Sequence, residues 1–367
     1  MNAENLVMFH INRLTRGGAE RVISGLANHF SDIGHPVILV TAYRPEYGEY
    51  AISPNVKRIS LDGQYTSHPL ARWKNDYILA ICKLRILCKE YRPKILVSFS
   101  LASNTRNLIA TAGMPIKRII SVRENPTVGY DDIAKRSVAR FLYPFTDGAV
   151  FQTEDAMQFF PEKLQKKSVV LFNPVRNHFF ITRREINCKN IVAIGRLKHV
   201  KNFGMLIRAF AQISDLFPQE KLLIYGQGEL REELQSQIDS IGLCSRIRLC
   251  GVTNDVPSIL KNAKLFVLSS DSEGMPNALM EAMSMGVPVI STDCPCGGPK
   301  VLIQDGVSGL LVPVGDTDAM AAAMGKLLSD ESFAQRIGNA AKERARDLFY
   351  PPNVMREWEH YIGSFIK

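Results

Sequence analysis

The stretch LFVLSSDSEGMPNALMEAMSMGVPVIS, residues 265–291, decides the fold. Its opening run, Leu265–Leu268, is continuously apolar, which is typical of a strand buried on both faces of a parallel sheet. Proline is tolerated in the first turn of a helix, so Pro276 predicts a helix that starts near it and continues to about Met285. Glycine and proline then end the helix, and the apolar run Val287–Ser291 predicts the next strand.

The rest of the chain repeats this alternation of apolar runs and helical patterns. In the N-terminal half, strands are predicted at Leu6–His10, Val37–Ala42, Ile95–Phe99, Ile119–Val122, Ala149–Phe151 and Val169–Phe172. In the C-terminal half, the remaining strands are predicted at Ile191–Ile194, Lys221–Tyr225 and Ile247–Cys250. The pattern predicts an α/β protein with two doubly wound, Rossmann-like domains that face a cleft.

A polar stretch with little apolar rhythm separates the two halves. It follows Asn173-Pro174-Val175 and predicts a linker at residues 175–190. The expected domains are therefore residues 1–174 and 191–348. Residues 349–367 predict a C-terminal helix, which we expect to pack back on the first domain.

Composition places the chain among ordinary globular proteins. Apolar residues make up 46% and charged residues 22% of the 367 residues, which excludes a disordered or fibrous chain. No apolar run is long enough to span a bilayer, and the first residues show no secretory signal. The seven cysteines are scattered, so we expect reduced thiols in a cytoplasmic protein.

The net charge of +9 is concentrated in the N-terminal half. Residues 1–175 hold 23 Lys and Arg against 15 Asp and Glu, a balance of +8, which leaves +1 for residues 176–367. Such an excess serves solubility, or it indicates an anionic partner such as a membrane surface, a lipid pyrophosphate or a nucleic acid. No nucleic-acid-binding motif supports the last partner.

Two carboxylates flank the start of the helix in the deciding stretch. Glu273 lies in the predicted loop, and Glu281 lies about one turn into the helix. Unbonded amides at a helix start, together with the helix dipole, form a site for a diphosphate. The carboxylates are suited to accept hydrogen bonds from sugar or ribose hydroxyls. The alternative is a helix whose acidic residues only stabilise its dipole.

A second motif, GRLKHVKN at residues 195–202, follows the predicted strand Ile191–Ile194. Gly195 lets the chain turn sharply, and Arg196 and Lys201 put two cations at the end of a strand, where they can bind phosphates. A solvated basic loop is the alternative. Glycine-rich turns also follow two other predicted strands, at Gly17-Gly18 and at Gly226-Gln227-Gly228.

Together these segments resemble the retaining glycosyltransferases of family 4, which have the GT-B fold. The matching segments are GGAER (17–21), GRLKHVKN (195–202), GQGEL (226–230) and EGMPNALMEAMSMGVPVISTDCPCGGPKVLIQDGVSGLLVPVGD (273–316). The resemblance covers essentially the whole chain and is strongest over residues 191–316. It includes the family's Glu-x7-Glu pattern as Glu273 and Glu281.

The resemblance implies a role for each matching residue. Arg196 and Lys201 are expected to bind the donor diphosphate and stabilise it as it leaves, so no metal ion or other cofactor is expected. Glu273 is expected to contact the transferred sugar, and Glu281 to accept hydrogen bonds from the ribose. Gly17 and Gly18 are expected to close over the donor. The other expected donor-binding residues are Gly195, Asn254, Gly274, Met275, Pro276, Asn277 and Ala278.

One position departs from the family pattern. Where many relatives carry a histidine that reaches the donor sugar, this chain has Arg123, followed by Glu124. Arginine stays protonated and cannot act as a base. We expect Arg123 to contact the donor or to pair with Glu124, and we count it among the catalytic residues. A leaving phosphate oxygen would then accept the acceptor's proton.

Residues 70–92, LARWKNDYILAICKLRILCKEYR, predict a basic amphipathic helix. Its apolar residues recur at helical spacing, and cations fill the other faces, as in helices that lie on anionic membranes. A helix that packs on the core and exposes solvated cations is the alternative. The hypothesis is that this helix binds the membrane and the acceptor through Arg72, Lys74, Lys83 and Arg85.

The resemblance therefore implies a retaining glycosyltransferase at the inner face of the cytoplasmic membrane. It would move a hexose or N-acetylhexosamine, with N-acetylgalactosamine (GalNAc) as first choice, from a UDP-sugar to a polyprenyl-pyrophosphate-linked glycan. Such glycans are assembled into O-antigen, capsule or glycoproteins. The alternatives are a nucleotide-sugar epimerase or hydrolase of the same fold, a nucleic-acid-binding protein and a non-catalytic nucleotide-binding scaffold.

Overall fold

The computed structural model describes residues 5–15, 17–61, 69–130, 132–181 and 190–366, with the side chains of 69–76 and 181 left out. Arg16 and half of the predicted linker, residues 182–189, lie outside these ranges. The chain forms two compact units, Met1–Leu171 with Val354–Lys367, and Phe172–Asn353.

Each unit contains one parallel sheet, which confirms the predicted fold class. In chain order the strands are β1 (Val7–Ile11), β2 (Val37–Thr41), β3 (Lys57–Ser60), β4 (Ile95–Phe99), β5 (Lys117–Ser121), β6 (Gly148–Phe151), β7 (Ser168–Val170), β8 (Asn190–Ile194), β9 (Lys221–Tyr225), β10 (Ile247–Gly251), β11 (Ala263–Leu268), β12 (Val289–Thr292) and β13 (Leu310–Val312). The first sheet has the order β3-β2-β1-β4-β5-β6-β7, and the second has the order β10-β9-β8-β11-β12-β13.

Helices connect the strands and cover the sheets. They are α1 (Gly18–Asp32), α2 (Pro69–Tyr91), α3 (Leu101–Ala110), α4 (Pro126–Gly129), α5 (Ile133–Leu142), α6 (Glu154–Gln158), α7 (Glu162–Gln165), α8 (His178–Ile181), α9 (Phe203–Ile213), α10 (Arg231–Ser240), α11 (Val256–Lys261), α12 (Asn277–Ser284), α13 (Gly298–Leu302), α14 (Thr317–Ser329), α15 (Glu331–Phe349) and α16 (Pro351–Gly363). None of the described helices combines the length and apolar character needed to cross a membrane.

The strand order determines which loops meet. In the second sheet, β8 and β11 are neighbours although they are distant in sequence, because the order of the strands reverses between them. At such a switch point the loops after the two strands diverge and leave room for a ligand. The motif at 195–202 follows β8, and the loop with Glu273 follows β11. The first sheet has the equivalent point between β1 and β4.

Two strands were not predicted, and both lie at sheet edges. β3 reads KRIS and is at most half-buried, so it lacks the apolar run of a central strand. β13 has only three residues. Short or polar edge strands carry little of the hydrophobic signal from which strands are recognised in a sequence.

The boundaries of the two units differ from the domain boundaries that the sequence predicts. The second unit begins at Phe172, and α8 packs against α12, so residues 175–181 of the expected linker belong to that unit. α16 belongs to the first unit, where Trp358 is fully buried and stacks on Phe99 with ring centroids 5.8 Å apart. The chain therefore returns to its first unit for its last helix.

Candidate functional site

In the second unit, charged side chains of the loops after β8 and β11 contact each other. The Lys201 ammonium donates to Glu273 Oε1, which also accepts a hydrogen bond of 2.6 Å from Ser270 Oγ. The side chains of Lys201 and Glu273 are 19% and 12% exposed. The structure thus pairs two residues for which the resemblance implied separate roles.

Backbone hydrogen bonds hold the Glu273 loop in place. The Glu273 amide donates to Pro295 O over 2.8 Å, and the Cys296 amide donates to Glu273 O over 3.0 Å. Both the amide and the carbonyl of Glu273 are bonded to the segment after β12. These two bonds hold the backbone that carries the carboxylate in one position.

Three more bonds tie the β11 loop directly to the β8 loop. The Asp271 amide donates to Val200 O over 2.8 Å, and Ser269 Oγ donates to Lys201 O over 2.8 Å. Asn202 Nδ2 donates to Asp271 Oδ1 over 2.7 Å. The two loops therefore form one rigid assembly at the end of the sheet.

Helix α12 points its start toward the same loop. Pro276 occupies the N-cap position and makes no side-chain cap, and the first bond of the helix runs from the Met280 amide to Pro276 O over 3.2 Å. The amides of Ala278 and Leu279 precede that bond and have no carbonyl partner within the helix. A helix start of this kind attracts anions.

Glu281 lies on α12, just past its first turn, and is only 6% exposed. Arg196 lies at the end of β8 and is exposed. No acidic side chain in the described ranges is within salt-bridge distance of Arg196. Since Glu273 already balances Lys201, the charge of Arg196 is available to an anionic ligand.

The turn Gly226-Gln227-Gly228 supports the β8 loop through its glycines. A Cβ atom at Gly226 would overlap Gly195 O, and one at Gly228 would overlap Leu197 O. The Leu197 amide donates to Gln227 O over 3.0 Å. These glycines are required for contact between two backbone segments, which the sequence alone did not reveal.

Two further predicted donor-binding residues, Gly274 and Asn254, lie in loops that follow strands of the same sheet. Gly274 O is so close to Gly298 that a Cβ at Gly298 would overlap it, which fixes the turn before Met275. Asn254 is exposed in the loop after β10, two strands away from β8. Asp255 beside it caps α11 by accepting from the Ser258 amide over 3.1 Å.

In the first unit, Gly17 and Gly18 lie after β1, and α1 begins at Gly18. Arg123 follows β5, and its guanidinium lies 5.2 Å from the ring centre of Phe99 and 5.7 Å from that of Trp358. It also donates to Ser121 Oγ over 3.4 Å. Burial lowers the pKa of Arg123 to about 9, so it is still protonated at neutral pH. In this unit the Arg123 cation therefore lies close to two aromatic rings.

Two of the predicted membrane residues of α2, Lys83 and Arg85, donate to backbone carbonyls. Lys83 Nζ donates to Leu61 O over 3.0 Å, and Arg85 Nη1 donates to Ala110 O over 2.8 Å, at the end of α3. Leu84 and Cys88 are buried in the core of this unit. Arg72 and Lys74 lie on the same helix, but their side chains lie outside the described part of the structure.

A buried network in the first unit escaped the sequence analysis. Arg106 of α3 is 4% exposed and donates to Asn12 Oδ1 and, over 2.8 Å, to His10 Nε2. His10 must therefore carry its proton on Nδ1, which donates to Val40 O over 3.0 Å. Burial, assisted by the Arg106 charge, lowers the pKa of His10 to about 3. His10 is neutral at physiological pH and fixes the end of β1.

Among the described residues, no group of three or more His, Cys, Asp or Glu side chains is arranged to hold a metal ion. The cations of the loop after β8 are Arg196, Lys198 and Lys201, of which Lys201 is paired with Glu273.

A family match and two relatives all identify the chain as similar to glycosyltransferases. Residues 176–344 match the family described as glycosyl transferases group 1. The chain is 31% identical over 366 residues to the Campylobacter jejuni GalNAc-alpha-(1->4)-GalNAc-alpha-(1->3)-diNAcBac-PP-undecaprenol alpha-1,4-N-acetyl-D-galactosaminyltransferase, with 98% of each chain covered. It is 28% identical over 264 residues to a second transferase of that organism, N-acetylgalactosamine-N,N'-diacetylbacillosaminyl-diphospho-undecaprenol 4-alpha-N-acetylgalactosaminyltransferase, covering 68% of this chain and 70% of the relative.

Solved structures share the architecture. The crystal structure of Anabaena HepE in complex with UDP and glucose aligns with a TM-score of 0.82 at 17% identity, over 98% of this chain and 99% of that chain. At this identity the similarity establishes the fold alone.

Proposed function

Because the chain belongs to the group 1 glycosyl transferases and has the GT-B fold, we propose that it transfers GalNAc from UDP-GalNAc to a polyprenyl-pyrophosphate-linked glycan. The observation that carries this proposal is the contact of Lys201 with Glu273 in the loop that leads into α12, with Arg196 exposed in the same loop as Lys201. It combines cations for a diphosphate with carboxylates for hydroxyl groups.

The donor's diphosphate would lie between the α12 amides and the two cations. Arg196 and Lys201 then neutralise the charge that grows on UDP as the bond to the sugar breaks. This is the contribution that a metal ion makes in other transferases, and we therefore propose transfer without a metal. Glu281 would accept hydrogen bonds from the ribose and Glu273 from the sugar.

The proposed reaction retains the configuration at the sugar's C1 atom. The acceptor hydroxyl oxygen forms a bond to C1 on the face from which UDP leaves, and the bond from C1 to the phosphate oxygen breaks. The hydroxyl proton passes to that phosphate oxygen. No protein base is then needed. Arg123 is protonated, and the Nε2 lone pair of His10 already accepts a hydrogen bond from Arg106.

The acceptor proposal is supported by the two Campylobacter relatives, whose names specify undecaprenol-linked glycans. An acceptor of this kind is held in a bilayer by its lipid. We propose that the enzyme works peripherally, at the inner face of the cytoplasmic membrane, in assembly of cell-surface polysaccharide or glycoprotein glycan.

Nucleotide binding tests the donor site. UDP is expected to raise the melting temperature of the wild type, and Glu281→Gln and Arg196→Met are expected to weaken UDP binding about tenfold each. Lys198→Met is the matched control, since Lys198 is exposed in the same loop and outside the proposed contacts. Unchanged UDP affinity in both site variants would refute the assignment. Release of free sugar without transfer would favour a hydrolase.

A further inference from the structure

Helix α5 exposes an apolar face that the sequence analysis did not single out. Ile133 is 82% exposed, Phe141 70% and Val138 40%, and within α5 only Ala139 is buried. Ile133, Ser137 and Phe141 are spaced at i, i+4 and i+8, so they form one outward stripe. A surface helix of a globular protein normally turns such a stripe toward the core.

The stripe continues into the turn that follows the helix. Phe145 is 52% exposed, and its ring meets that of Phe141 edge-on with centroids 5.8 Å apart. Between them, Tyr143 is fully buried and stacks on Phe160 at 5.7 Å. The exposed rings are therefore carried by a segment that is anchored in the core.

Cations border this surface. Residues 133–146 contain three Lys or Arg and no Asp or Glu. Arg140 is exposed, and no acidic side chain in the described ranges is within salt-bridge distance of it. Lys163 Nζ lies 5.5 Å from the ring centre of Phe145. An apolar centre with a cationic border is complementary to an anionic bilayer surface.

We propose that this surface, formed by α5, Phe145 and Lys163, docks the enzyme on an anionic membrane. Ile133, Phe141 and Phe145 enter the headgroup region, while Arg140 and Lys163 bind lipid phosphates. The inference rests on the proposed function in that a lipid-linked acceptor requires the enzyme to work at a bilayer. Self-association through the same surface is the alternative that the test below separates from membrane docking.

This surface replaces α2 as the membrane contact. The cations Lys83 and Arg85 of α2 are already bound to backbone carbonyls. α2 also exposes apolar side chains, with Ile78 58% and Ile86 61% exposed, so it provides a matched control.

The test is co-sedimentation with phosphatidylcholine vesicles with and without phosphatidylglycerol. Wild-type protein is expected to bind the vesicles that contain phosphatidylglycerol. The double variant Phe141→Ser/Phe145→Ser and the double variant Arg140→Glu/Lys163→Glu are each expected to bind them at least tenfold more weakly. Ile78→Ser/Ile86→Ser, on α2, is expected to bind as the wild type does.

UDP binding and light scattering separate the possible failures. Both α5 variants are expected to bind UDP normally and to transfer sugar to a detergent-dispersed acceptor. Wild-type protein that ignores anionic vesicles, or α5 variants that bind them unchanged, would overturn the docking surface and leave the proposed reaction standing. A wild-type dimer that becomes a monomer in the Phe141→Ser/Phe145→Ser variant would instead assign the surface to self-association.

Discussion

Lys201 and Glu273 neutralise each other where the donor is proposed to bind. Replacing Lys201 with a neutral residue therefore makes the net charge of the site more negative. Replacing Glu273 with a neutral residue makes it more positive. Lys201→Met removes a cation and leaves a carboxylate that is only 12% exposed, held by Ser270 alone. Glu273→Gln keeps an acceptor for Ser270 and adds one positive charge to the site.

These two variants are predicted to separate binding from transfer. Lys201→Met should weaken UDP binding at least tenfold and destabilise the protein by about 1–3 kcal/mol. Glu273→Gln should bind UDP at least as tightly as the wild type and transfer sugar far more slowly. Isothermal titration and initial rates give the two quantities. Weaker UDP binding in Glu273→Gln would contradict the assigned charges.

His10 is predicted to make folding sensitive to acid. Its pKa falls from 6.5 to about 3 in the folded protein, so between these values the unfolded chain binds a proton that the folded chain does not. The contribution of His10 to the free energy of unfolding is complete above the pKa of His10 in the unfolded chain. It decreases as the pH falls, by up to about 1.4 kcal/mol per pH unit. Urea unfolding between about pH 6 and pH 4 measures it. His10→Gln, which cannot titrate, should show a shallower decline, and equal slopes would exclude His10 as the cause.

For single residues, the sequence predicts roles that depend on neighbours in the chain. Arg196, Lys201 and Glu273 could be identified because each lies in the loop that follows an apolar run. The ion pair between Lys201 and Glu273 could not be predicted, because it depends on β8 and β11 being neighbours. The environment of Arg123 could not be predicted either, since Trp358 comes from the last helix.

Turns between strands and helices set the shape of the proposed donor site. Gly226 has a φ of 149° and lies directly against Gly195 O, so the turn after β9 supports the turn after β8. Central strands such as β8 and β11 were predictable from their apolar runs. β3, which is polar, and β13, which has only three residues, were not.

Gly226→Ala is predicted to be damaging although it adds one methyl group. The Cβ would overlap a backbone atom, and the required φ disfavours alanine, so we expect a loss of about 1–3 kcal/mol and weaker UDP binding. Gly325→Ala is the control, because Gly325 lies within α14 with only a side-chain atom of Phe217 at 4.0 Å. That change should stabilise the protein by up to about 1 kcal/mol. Equal thermal stability of the two variants would contradict the packing role of Gly226.

The whole molecule consists of two units, and the C-terminal helix belongs to the first. Trp358 is fully buried against Phe99, and Tyr361 donates to Ala149 O over 3.3 Å. The sequence predicted a helix at 349–367 and two Rossmann-like domains. The surface formed by α5 was not predicted because its apolar residues look like those of any core-facing helix.

Trp358→Ala is predicted to destabilise the first unit selectively. Removing a buried tryptophan costs about 3–5 kcal/mol. Hydrogen exchange should accelerate in β4 and β6 of the first unit and stay unchanged in β8 and β11 of the second. Equal acceleration in both units would contradict the assignment of α16 to the first unit alone.

The reaction itself is tested by mass spectrometry of a polyprenyl-pyrophosphate-linked glycan incubated with the enzyme, UDP-GalNAc and EDTA. The proposed function predicts a product heavier by one N-acetylhexosamine, and about tenfold slower formation of that product by Glu281→Gln when UDP-GalNAc is below saturation. Absence of product from every UDP-sugar tested, with UDP binding intact, would contradict transfer to this acceptor. Product that disappears in EDTA would contradict the proposed role of Arg196 and Lys201 in place of a metal.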